Sequence, residues 1–71
     1  MTNSELETFV KDWAAEAARH SAAGDELRLQ QNENYFRRVM LAHVADQGQR
    51  QALALLRRAM FQKALGQGEA A

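Results

Sequence analysis

Seventy-one residues contain no proline, and glycine occurs only at positions 24, 48, 66 and 68. Proline and glycine are the two residues that end regular structure most strongly, and the remainder is dominated by Ala, Leu, Glu, Gln, Arg and Met, the best helix formers. A chain of this kind folds as helix wherever it folds at all. Gly24, Gly48 and Gly66 each follow a long periodic stretch, where a residue tolerant of positive φ can close a helix. The expected architecture is therefore all-α, with helices over about 4–23, 25–46 and 49–65 in a single domain spanning 1–65. Residues 66–71 read as a flexible C-terminal tail.

The first helix has two candidate starts. Ser4 with Glu7 forms a capping box, a hydroxyl and a carboxylate each able to satisfy a free backbone N–H, and Thr2 with Glu5 offers the same pairing two residues earlier. At 100° per residue, Leu6, Phe9, Val10, Trp13, Ala14, Ala17 and His20 share one face, and Glu5, Glu7, Lys11, Asp12, Glu16 and Arg19 the other. That single stripe suits packing against the rest of the fold. The second helix starts either at Asp25 or within the polar run Asn32–Asn34. Beyond it Tyr35, Phe36, Val39, Met40 and His43 align, while Leu41 points away between Arg37 and Arg38, and Val44 sits at the edge. The third helix carries a main stripe of Ala52, Leu53, Leu56, Ala59, Met60 and Ala64. Phe61 and Leu65 form a second strip on the same flank as Ala54, Arg50 and Arg57, and Leu55 lands among Gln51, Arg58 and Gln62.

Helices apolar on two sides require neighbours on two sides. Eight Leu, three Val, three Phe and no Ile make a thin core for a chain of this length. The reading is a three-helix hairpin or bundle, with the second and third helices paired and the first packed on them. It is completed either by a second copy, giving a dimeric helical bundle, or by another protein. Charge is sorted along the chain despite a net charge of zero: residues 1–35 hold seven acidic against three basic side chains, and residues 36–71 hold six basic against two acidic. Five of those six are arginine, whose fork binds carboxylate or phosphate.

Several function classes fall away. Without cysteine there is no thiol nucleophile, thiolate metal site or disulfide. Ser4 and Ser21 sit at helix ends rather than beside a base, no glycine-rich phosphate loop occurs, and Glu16 with His20 lacks further ligands, so no enzyme, cofactor or metal site is expected. His20 and His43 read as packed or interfacial side chains. No apolar run reaches membrane-spanning length, and the acidic polar face of the first helix has the wrong sign for anionic lipid, so a cytosolic protein is expected. The Gly48 turn is a poor match to a helix-turn-helix, where the positions held here by Gln47, Gln49 and Arg57 are apolar. The expectation is a non-catalytic adaptor or regulator that binds itself and another protein. The expected binding residues are Arg37, Arg38 and Leu41 on one face and Arg57, Arg58, Phe61 and Leu65 on the other. Nucleic acid held by the arginine pairs is the alternative.

Overall fold

A computed structural model of the chain describes the backbone of residues 2–70 and side chains as far as residue 66. Three helices follow one another: α1 (Asn3–Ala22), α2 (Glu26–His43) and α3 (Gln47–Ala70). They form a three-helix bundle. Of the two capping boxes, Thr2 and Glu5 start α1: the Glu5 amide donates to Thr2 Oγ1 at 3.2 Å and the Thr2 amide donates to Glu5 Oε1 at 3.3 Å. Hydrogen bonding of the Glu5 carboxylate to Thr2, to its backbone amide first and to its side chain second, lowers the Glu5 pKa below its ordinary value of 4.5.

The turn from α1 to α2 is a Schellman motif. The Gly24 amide donates to the Ser21 carbonyl at 3.1 Å and the Asp25 amide to the His20 carbonyl at 2.9 Å, a geometry that requires the left-handed φ of +72° found at Gly24. Asp25 at once caps α2, its Oδ1 accepting from the Arg28 amide at 3.1 Å, which places the second helix start at the earlier of the two expected positions.

The turn from α2 to α3 differs from the expectation of a helix running to 46 and closing at Gly48. α2 ends at His43, Val44 takes an extended conformation (φ −122°, ψ 101°) and is buried, and Gly48 lies inside the first turn of α3. The physical reason is Asp46, which outcompetes glycine for the role of punctuation. Its Oδ2 accepts from the Gln49 amide at 2.7 Å and its carbonyl accepts from the Arg50 amide at 3.0 Å. At the other end, α3 continues through Gly66 to Ala70, so no stop occurs at 66. Of the expected 66–71 tail, residue 71 lies outside the described residues.

α1 is the organising helix. It packs along α3 and along α2, whereas α2 and α3 touch only slightly, so the expected close pairing of the second and third helices gives way to a shared packing on the first. α1 and α3 run in the same direction: Gln49 Nε2 donates to Asn3 Oδ1 at 3.2 Å near their starts, and Ala18 and Ala22 border the same depression as Ala64 and Leu65 near their ends. The bulky core sits at one end, where Leu6, Val10, Phe36, Met40, Val44 and Leu53 are buried together. Toward the other end α1 buries only Ala14, Ala17 and Ala18, whose methyl groups let a neighbouring helix approach closely. The buried large apolar residues are thus gathered at one end, while Leu27, Leu41 and Leu55 stay exposed.

Candidate functional site

Because α2 and α3 diverge on the side away from α1, they leave a groove of about 470 Å³ lined by side chains of those two helices alone. Its floor is Phe36 and Met40, 7% and 4% exposed, which face both the core and the groove. Leu41, 63% exposed, and Ala54 add apolar surface above them. From α3, Gln47, Arg50, Gln51, Ala54 and Arg57 recur at helical spacing along one wall; from α2, Glu33 and Arg37 close the other.

Three guanidinium groups therefore border one groove, and two of them are anchored. Arg57 Nη2 donates to Asn32 Oδ1 at 2.7 Å, and its guanidinium carbon lies 5.1 Å from the centroid of the Phe36 ring, in cation–π range. Asn32, 3% exposed, in turn donates from Nδ2 to the Trp13 carbonyl at 3.2 Å, so one amide side chain ties all three helices. Burial lowers the Arg57 pKa, with the carboxylate of Glu33 acting the other way, and its Nε is buried without an acceptor. Arg50 Nη1 reaches back to the carbonyls of Val44 at 2.7 Å and Ala45 at 3.0 Å, fixing the turn that no glycine cap closes.

Every acceptor of these two arginines is neutral. Their positive charges are held in place without being cancelled, and Glu33 is the only carboxylate among the groove residues. The ion pairs among the described residues lie elsewhere, Glu16 with Arg19 and Asp25 with Arg28 (3.5 Å), and His20 Nε2 lies 3.3 Å from Glu16 Oε1. All of these lie in the acidic half of the chain, on Glu16 and Asp25.

The expected binding residues are redistributed by this packing. Arg37, Leu41 and Arg57 come together on the groove, although they had been assigned to two faces. Arg38 lies around α2 beside Gln31, Asn34 and Tyr35, so the Arg37/Arg38 pair does not present one surface. Arg58 is exposed, Phe61 is half-buried, and Leu65 is half-buried at a depression formed with Ala15, Ala18 and Ala22 of α1. Arg57 is a packing residue as well as a groove residue. Arg50, which the sequence places on one flank with Ala54 and Arg57, is not among the expected binding residues, and Asn32 is missed altogether, because its partners lie 19 and 25 residues away and leave no local signal.

A second groove, of about 610 Å³, runs between α1 and α2 beside Trp13 and Tyr35. These rings stand 4.7 Å apart and continue through Phe9, 5.6 Å from Trp13 and stacked at 5.9 Å on Phe36, into one aromatic cluster. Of its lining residues, Glu16 and Arg28 are engaged in the ion pairs above and His20 contacts Glu16, which leaves this surface less to offer a ligand. Among the described residues no three His, Cys, Asp or Glu side chains gather as a metal would require, and no helix is long and apolar enough to cross a membrane. No protein-family model matches the chain, and neither a curated protein nor a solved structure matches it.

Proposed function

We propose that the chain is a non-catalytic helical docking protein that binds a segment of another protein in the α2/α3 groove. The observation that carries this reading is an apolar floor bordered by three arginines, two of them fixed by neutral acceptors. Apolar anchors ringed by arginine are the usual composition of an interaction hot spot, and prefixed side chains lose less entropy on binding. A chain without cysteine suits the reducing cytosol, where we place this activity.

A second copy is a poorer occupant. Two such grooves brought together on a twofold axis would gather six arginines against two glutamates, Glu33 of each copy, in one interface. Light scattering after size exclusion should therefore return a monomer at tens of micromolar, and a dimer that Leu41→Glu dissolves would reinstate self-association. The docking reading itself is tested by a photo-crosslinking residue placed at Leu41 and, as a control, at Leu27, which is equally exposed (67%) but does not border the groove. In cells, a protein adduct at position 41 and none at 27 supports the groove. Equal labelling at both positions refutes it.

A further inference from the structure

We infer that the occupant of the α2/α3 groove is an acidic amphipathic helix carrying two carboxylates one heptad apart with an apolar residue between them. The inference rests on the docking reading above and adds the chemistry of the partner. Arg50 and Arg57 lie seven residues apart on one wall of the groove, about 10 Å along the helix axis at 1.5 Å per residue. A helix laid along that wall meets both guanidiniums with side chains at positions i and i+7, since these project from the same face. The residue at i+3 or i+4 then points down between them, onto Leu41 and Ala54.

The shape agrees with the charge. α1 covers one side of the α2 and α3 pair, and a helix in the groove would cover the other, giving the four-helix packing that a three-helix chain leaves incomplete. The wall from Gln47 to Arg57 is roughly 15 Å long, or about three turns of helix. Carboxylates are the complement because the arginines hold their charge against neutral acceptors, and Glu33 supplies only one compensating charge. A phosphate backbone would satisfy the guanidiniums equally well but would leave the exposed Leu41 uncovered.

The test is an anisotropy titration of the full chain with a labelled alanine-based peptide of about four turns, bearing two Glu one heptad apart and a Leu between them. The same peptide with Lys in place of Glu is the charge control, and a single-stranded and a duplex oligonucleotide are run beside it. The Glu peptide should bind saturably. Arg37→Glu and Leu41→Glu, both at exposed positions, should each weaken it about tenfold or more with helix content unchanged. Raising salt from about 50 to about 300 mM should weaken it as well. Equal binding of the Lys peptide, indifference to Arg37→Glu, or tighter binding of either oligonucleotide would overturn the inference. A protein adduct at position 41 without Glu-peptide binding leaves the docking reading standing and removes the acidic helix; absence of both removes the two together.

Discussion

α2 meets its two neighbours in opposite ways. Against α1 it is joined by a three-residue turn and an aromatic cluster; against α3 it is joined by an extended, glycine-free turn and then splays, leaving arginines whose charges are not cancelled. The first seam is finished within the chain and the second is not. What decides the difference is where the large side chains go. With few of them available, the sequence commits Phe9, Trp13 and Tyr35 to one seam, shares Phe36 between the two, and leaves the rest of the other to Met40, arginine stems, Leu41 and Ala54.

The sharpest way to break this contrast is to empty the residue that serves both seams. Phe36→Ala should cost about 3–5 kcal/mol, enough to unfold much of so small a domain, whereas Leu41→Ala, one turn along the same helix, should change stability by less than about 0.5 kcal/mol. Urea unfolding followed by circular dichroism compares the two, and similar losses would mean that the groove is part of the core.

Next in size is the polar tie. Asn32→Ala strands the half-buried Arg57 guanidinium and should cost about 2 kcal/mol, while Arg57→Met also removes the unsatisfied Nε and should cost less, about 1 kcal/mol. The double variant should be milder than the sum by about 1 kcal/mol, and strict additivity would show that the two residues do not act as a pair.

The turns give an effect of opposite sign at two glycines. Gly24→Ala forces a left-handed φ on a residue with a Cβ and should cost about 1 kcal/mol, although the space around it is open. Gly66→Ala, within α3 and equally unobstructed, should instead add about 0.5–1 kcal/mol. Thermal midpoints that move together would contradict the assignment of Gly24 alone as a helix stop.

The smallest effect lies at the start of α1. Because hydrogen bonding to Thr2 lowers the folded-state pKa of Glu5 below 4.5, its ionised form adds stability that is present above pH 4.5 and is lost as pH falls through the lower, folded value. Glu5→Gln should therefore melt earlier than the parent at neutral pH and converge with it in acid. A difference independent of pH would assign the cap to hydrogen bonding alone.

Much of this fold is legible in the sequence because it is governed locally. The stripe of α1, the stop at Gly24 and the caps at Thr2 and Asp25 depend on residues within one or two turns, and the structure contains each of them. Where two local signals overlap, the pattern misleads: Asp46 and Gly48 compete for the same break, and the carboxylate wins by satisfying an amide that glycine cannot. Val44, placed at a helix edge by periodicity, is buried because the helix has already ended. The groove was only half legible. Arg37 and Leu41 stood out as charge and apolar surface on one helix, but bringing Arg57 beside them, and diverting it onto Asn32 and Phe36, depends on the splay of α2 from α3, which no local pattern encodes.

Trp13 is the sole tryptophan, and it stands 4.7 Å from the only tyrosine on the seam that is already closed. Its emission, together with energy transfer from Tyr35, is therefore a built-in gauge of whether α1 and α2 are assembled. The groove across the molecule contains neither fluorophore. A ligand entering it should leave that signal nearly constant while unfolding alters it, so the chain carries an internal reference by which occupancy and integrity can be read separately in a single sample.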